Sequence, residues 1–317
     1  MKAFVLAAGL GTRLRPLTDT YAKPALPLAH KPMLRRVLER LVQAGIKEIR
    51  VNSHHLPETV EEVIADSGDL GATLSSQFEP ELLGTGGALL ASREWLDGEC
   101  VLVVNGDAVS DLNFADLVAS HQSSSRLATM ALREPSPGET FGPVETDVQD
   151  RVVRILDNGP PLAGTKTRMF CGIHILEPSF LDLLEPKGFS CVVRRGYLAA
   201  LERGETVGSF LHQGYFADAG TPGSFLDAHW HVLRGEYPSG FGTGPCASSS
   251  TSWWLESDIE FGDGVSLGDK VSVGRGACLG EGAYLEDCLL ESGATVEPSE
   301  RLVGAIRLSS GTTLFRN

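Results

Sequence analysis

Hydrophobic positions along the chain fall into two textures. Up to residue 234, short apolar runs alternate with helical spacings. Residues 2–7 (KAFVLA) form a continuous apolar run, the pattern of a strand covered on both faces. Met33, Leu34, Val37, Leu38, Leu41 and Val42 then recur at helical spacing, with Pro32 at the entry and Gly45 just past the end. "IKEIRVN" reads as a strand, "LPETVEEVIAD" as a helix, "GATLSSQF" as a strand, "GGALLASREWL" as a helix and "CVLVVNGD" as an apolar strand. Shorter strands are predicted around 127–132, 143–147, 152–156 and 170–176, and helices near 178–184, 192–202 and 222–234. This alternation predicts an α/β domain, Rossmann-like, on a mixed or mostly parallel sheet.

The second texture begins at 235. Residues 235–252 are rich in Gly, Ser, Pro and Thr and read as a linker between a domain at 1–234 and another at 253–317. Counting in sixes from Ile259 gives Val265, Val271, Ala277, Ala283, Leu289 and Thr295. Phe261, Leu267, Val273, Leu279 and Leu285 follow two places on. An aliphatic or small residue every six, with glycine at the turns, predicts a left-handed parallel β-helix of hexapeptide repeats, capped by Trp253 and Trp254 or by a partner chain.

The totals narrow the function. No apolar run is long enough to cross a bilayer, and the six cysteines show no CxxC spacing, so they read as reduced cytoplasmic thiols with no metal site indicated. The formal charge of −14 argues against nucleic acid. Residues 1–40 nonetheless carry eight Lys/Arg against Asp19 and Glu39, leaving −20 for the rest. A basic cluster in an acidic protein points to a localised anion site, set against the plainer reading of solvated helix faces.

"LAAGLGTRLRP" lies inside that cluster. It opens like a dinucleotide fingerprint, but Leu14 stands where the third glycine belongs, and no Gly-Lys-Ser/Thr follows. What remains is a glycine turn whose N–H groups can face an anion, with Arg13 and Arg15 projecting from it. Lys23, biased to extended backbone by Pro24, can reach the same anion. Asp107 in "VVNGD" and Asp218 in "YFADAGTP" each follow an apolar strand, where ligands of open α/β sheets bind. Two such carboxylates beside an arginine loop suit Mg²⁺-assisted transfer at a phosphate. The plainer reading of Asp107 is a turn aspartate. "LGTGGAL" is a further glycine-rich turn, open either to a flat ligand or to helix capping by Thr85. His54 and His55 lack metal-ligand spacing and read as structural.

"LAAGLGTRLRPLTDTYAKPALPL", "LGTGGAL", "VVNGD", "GIHILEP" and "YFADAGTP" resemble the sugar-1-phosphate nucleotidyltransferases (NDP-sugar pyrophosphorylases) across residues 1–234, and the repeat tail resembles the β-helix of some members. The resemblance implies a Mg²⁺-dependent enzyme making an NDP-sugar and pyrophosphate from an NTP and a sugar 1-phosphate. It places Ala8, Gly9, Gly11, Thr12, Glu81, Gly84, Thr85 and Gly86 at the nucleotide. It gives catalytic roles to Arg13, Lys23 and Asp107, and the metal to Asp107 and Asp218. A lysine common in relatives is replaced in Asp157-Asn158-Gly159-Pro160; Lys166 or Arg168 is the candidate substitute, with Asp157 and Gly142 in the sugar pocket.

"LGTGGAL" is closer to the guanylyl members than to the thymidylyl ones, so GDP-mannose or a related GDP-sugar is the expected product. A muramate-type uridylyltransferase or a thymidylyltransferase is the alternative, followed by an inactive nucleotide-sugar-binding regulator. Acyl transfer from the β-helix is rejected because no histidine follows His231. The tail is expected to serve homo-oligomer contacts.

Overall fold

The computed structural model describes residues 1–136, 139, 142–158, 162–184, 188–235 and 253–316. The chain packs as two compact units, Met1–Leu10 with Leu34–Phe216, and Gly11–Met33 with Ala217–Asn317. Nearly all of the expected linker, from 236 to 252, lies outside the described residues.

The first unit is built on a nine-stranded mixed sheet. Its strands are β1 (Lys2–Leu6), β2 (Glu48–Ser53), β3 (Thr73–Phe78), β4 (Val101–Asn105), β5 (Ala128–Arg133), β6 (Val144–Thr146), β7 (Val152–Ile155), β8 (Lys166–Leu176) and β9 (Val207–Leu211). They run in the order β7-β6-β8-β4-β1-β2-β3, with β5 pairing β8 and β9. The block β3-β2-β1-β4 is wholly parallel, as the βαβ alternation demands. Its longest α-helices are α1 (Met33–Gln43), α2 (Pro57–Ala65), α3 (Gly84–Ala91) and α4 (Phe114–Gln122). Phe4, Val101, Val103, Met130, Leu89 and Phe180 are buried in the core on one sheet face.

Four elements differ from the pattern-based reading, one being the helix expected near 192–202, which begins as a π-helical segment, Val192–Tyr197. "GGALLASREWL" breaks at Ser92 into α3 and a single turn, Arg93–Leu96, because the Ser92 hydroxyl bonds Gln77 on β3. The strand expected at 170–176 begins at Lys166, since its first half pairs with β6 and its second with β4. Gly172, at φ +69°, lies in the irregular stretch between those halves. Residues 178–183 form a 3₁₀ segment rather than an α-helix.

The second unit holds the segment Gly11–Met33, the helix α5 (Pro222–Leu233) and the strand-rich C-terminal region. There, parallel strands pair with partners eighteen residues on: Trp253 with Val271, Glu260 with Cys278, Ser266 with Tyr284. Eighteen is three hexapeptides, consistent with a β-helix coil. Val271, Val273, Ala277, Leu279, Ala283 and Leu285 point inward as the repeat predicts. The next turn of the coil is one residue shorter: Val271 pairs with Cys288, and Tyr284 with Arg301. Cys288 and Ala294 therefore take the inward places, and Thr295 is exposed, contrary to the count in sixes. Trp254 is buried and stacks against Trp230 of α5, whereas Trp253 is exposed.

Candidate functional site

In the second unit, the turn after Gly11 brings together residues far apart in sequence. Gly11 sits at φ +61°, and a Cβ there would meet Thr18 Cγ2 at 2.7 Å, so only glycine fits this crossing. The Gly11 carbonyl accepts from Leu14 N (2.9 Å) and from Thr18 Oγ1 (2.9 Å), which closes the turn. Leu14, in the place of the missing third glycine, is fully buried and anchors it. Arg13 and Arg15 are left exposed, with Arg15 ion-paired to Asp19.

Arg13 and Lys23 converge on Asp218. Arg13 Nη2 lies 3.7 Å from Asp218 Oδ2, and Lys23 Nζ lies 3.5 Å from Oδ1. Lys23 is buried, whereas Asp218 is about half exposed. Both separations exceed those of charge-assisted hydrogen bonds, roughly 2.7–2.9 Å. The carboxylate is thus held beside two cations while its oxygens keep capacity for a hard divalent ion, a chemistry these donors fit. Nucleotidyl transferases of this family generally use a divalent metal.

In the first unit, β1 is followed by Ala7 and Ala8, and a second network fixes that end. Ala7 N donates to Asn52 Oδ1 (2.7 Å), and Asn52 Nδ2 donates to Glu79 Oε1 (2.7 Å). Glu79 Oε2 accepts from Leu83 N (3.0 Å) at the entry to α3. Glu79 is 1% exposed, so one buried carboxylate ties the ends of three parallel strands to the second glycine turn. Sequence reasoning named Glu81, which is exposed, and did not name Asn52 or Glu79. The available signal was a carboxylate directly after β3 and five places before Gly84. His54 Nδ1 lies 2.7 Å from the Glu79 carbonyl, in keeping with a structural role.

The glycines of the second turn are crowded by the chain itself. A Cβ on Gly84 would meet Ser190 O at 2.7 Å and the Phe189 ring at 2.9 Å, and one on Gly86 would meet Ser190 Oγ at 3.0 Å. Gly86 N and Gly87 N both donate to Ser190 O. Thr85 does not cap α3; its hydroxyl accepts from Val192 N (2.9 Å). Gly9 is different, since apart from its chain neighbours no atom of the described residues lies within 4 Å of a Cβ built there.

Asp107 is half-buried in the turn after β4, where Gly106 N donates to Leu6 O (2.8 Å). Of the sugar-pocket candidates, Gly142 faces Leu156, whose side chain a Cβ would overlap. Asp157, at φ +56°, pairs with Arg154 (3.0 Å). Lys166 is exposed, and Arg168 is buried on Glu134 (2.5 Å). Among the described residues no helix is long and apolar enough to cross a membrane.

The first unit thus offers a mixed α/β sheet with an aspartate at a strand end, and the second a glycine turn beside an Arg-Lys-Asp cluster, groups whose chemistry suits phosphate. The sequence matches the Nucleotidyl transferase family over residues 2–235, and the chain belongs to that family. It is 32% identical over 240 residues to a mannose-1-phosphate guanylyltransferase of Mycobacterium tuberculosis, covering 75% of this chain and 66% of that protein. It is 30% identical over 231 residues to a mannose-1-phosphate guanyltransferase of Debaryomyces hansenii, covering 71% and 63%. The chain thus spans a little under two thirds of the length of these relatives. HddC of Yersinia pseudotuberculosis, solved with GMP-PN, shares the fold at TM-score 0.59 and 24% identity, covering 72% of this chain and 97% of that one.

Proposed function

We propose that this protein transfers a nucleotidyl group from an NTP to a sugar 1-phosphate, with GTP and mannose 1-phosphate as the preferred pair. The observation that carries the proposal is the convergence of Arg13 and Lys23 on Asp218 within a Nucleotidyl transferase chain. The guanylyl assignment is supported by the relatives at 30–32% identity.

In this reading a sugar-phosphate oxygen attacks the α-phosphorus in line. The bond from the α-phosphorus to its bridging oxygen breaks, and the electron pair leaves on pyrophosphate. The attacking oxygen is already ionised at neutral pH, so no side chain has to take its proton. Arg13 meets the charge growing on the pyrophosphate, and Lys23, held in place by burial, neutralises the α-phosphate. Ala8, Gly9, Gly11 and Thr12 offer backbone N–H groups to the triphosphate. We assign Mg²⁺ to Asp107 and Asp218; when bound, it supplies charge neutralisation at the phosphate oxygens. Lys166, exposed at the start of β8, is the cation we assign to the sugar phosphate, because Arg168 is engaged with Glu134.

The test is pyrophosphate release across the four NTPs and a panel of sugar 1-phosphates, with and without Mg²⁺. GTP with mannose 1-phosphate is expected to give the highest kcat/KM. Preference for UTP with an N-acetylated sugar would move the assignment to a uridylyltransferase. Absence of turnover with every pair would leave a nucleotide-sugar-binding protein.

A further inference from the structure

A cluster of metal-ligating side chains lies at the opposite end of β4 from Asp107. Cys100 immediately precedes β4, and Glu177 immediately follows β8. The antiparallel register pairs Val101 with Leu176, so these two flanking residues meet at the same end of the two strands. His121, near the end of α4, reaches them from the layer above: its Nε2 lies 3.6 Å from Cys100 Sγ and 3.0 Å from Glu177 Oε1. All three donor atoms fall within 4.8 Å of one another. β4 has five residues, about 3.3 Å each, so the cluster is separated from the Gly106-Asp107 turn by the full length of the strand.

The Cys100–His121 spacing already matches a tetrahedral ion, and the His121–Glu177 spacing is a few tenths of an ångström shorter. Zinc binds sulfur at about 2.3 Å, imidazole nitrogen at about 2.0–2.1 Å and carboxylate oxygen at about 2.0–2.2 Å, which puts neighbouring donors about 3.3–3.6 Å apart. The imidazole is oriented as a ligand requires. His121 Nδ1 lies 2.8 Å from Thr129 Oγ1, and both residues are buried, so a proton on Nδ1 leaves the Nε2 lone pair directed at the cysteine and the glutamate. Glu177 is partly exposed and supplies the entry route. A thiol, an imidazole and one carboxylate form a donor set for Zn²⁺ rather than Mg²⁺, which takes oxygen ligands in octahedral geometry.

We propose that Cys100, His121 and Glu177 bind one Zn²⁺-class cation, with water in the fourth position, joining β4, α4 and β8 at the strand ends remote from Asp107. Binding forms a metal–sulfur bond, and the thiol proton leaves to water. The site is independent of the transferase reading.

Co²⁺ titrated into the chelator-treated full-length protein tests it. One equivalent should produce a thiolate-to-cobalt charge-transfer band in the near ultraviolet and the intense visible bands of a tetrahedral ion, and Zn²⁺ should bleach both. Millimolar Mg²⁺ should leave them unchanged. Cys100→Ser should remove the charge-transfer band and weaken binding by about a hundredfold or more, and Thr129→Val should weaken it about tenfold through lost imidazole orientation. Zn²⁺ should raise the melting temperature of the parent protein and not of Cys100→Ser, a comparison that exposes any misfolding of the variant. A charge-transfer band that survives Cys100→Ser, or octahedral cobalt bands in the parent protein, would overturn the proposal in favour of a His121–Glu177 ion pair beside a thiol.

Discussion

The two glycine turns look alike in sequence and differ in what their glycines meet. At 84–87 the bare backbone is needed because the chain packs onto it: Ser190 O accepts from two of the amides, and Phe189 covers Gly84. At Gly9 a Cβ would meet no described atom apart from its chain neighbours, although nothing in the local sequence marks it as the open one. A glycine required by the fold can thus be told from one that leaves room for a ligand only after the partner segment is located. Substitution at the first kind should cost stability, and at the second kind should cost binding.

Gly84→Ala gives the largest expected effect. Its φ of +71° costs a side chain about 1–2 kcal/mol, and the collision with a backbone oxygen and a ring adds to it. A loss of about 3 kcal/mol is expected in denaturant melts. A variant as stable as the parent protein would show that residues 188–190 do not pack tightly on this turn.

The first unit also carries a pH dependence at His174. His174 on β8 is fully buried 2.7 Å from the Tyr197 hydroxyl, a few residues after the strand of chain that covers Gly84. Burial lowers the His174 pKa to about 3, against roughly 6.5 in an unfolded chain. Between those values the unfolded state binds a proton that the folded state does not, so stability falls as pH drops below about 6.5. The slope is about 1.4 kcal/mol per unit, or about 2 kcal/mol lost at pH 5. His174→Asn should flatten this part of the stability–pH curve; an unchanged slope would place the proton elsewhere.

How much of this could be read from sequence depended on whether the partners were close in the chain. The apolar run of β1, the helical spacing of α1 and the six-residue period up to Leu285 are local patterns, and they emerge at the expected places. The Arg13, Lys23 and Asp218 cluster was legible because its members lie in short motifs flanked by strands and prolines. The Glu79–Asn52–Ala7 network was not, because it forms only when three strand ends come into register. The same holds for Cys100 and Glu177, which share no motif and meet through an antiparallel pairing. The shortened coil escaped the count in sixes because one missing residue changes the phase without changing the composition.

Gly9→Ala sharpens the open half of the comparison. Its backbone lies outside the left-handed region and its Cβ finds space, so the melting temperature should hold within about 1 °C. A methyl group in the triphosphate cradle should raise the NTP KM about tenfold, roughly 1.4 kcal/mol. A stability loss without a KM change would make the two turns equivalent and would remove Gly9 from the nucleotide site.

Thr85→Val is the mildest test of the filled half. The change keeps the shape of the side chain and deletes the oxygen that accepts from Val192 N. A neutral hydrogen bond of this kind contributes about 1 kcal/mol, so the melting temperature should fall by about 2 °C. If Thr85 acts only through Val192, the NTP KM per folded molecule stays at the parental value. A KM that rises in Thr85→Val while stability is kept would instead return the hydroxyl to the nucleotide, and the second turn would then serve the ligand on one face while it packs against residues 188–192 on the other.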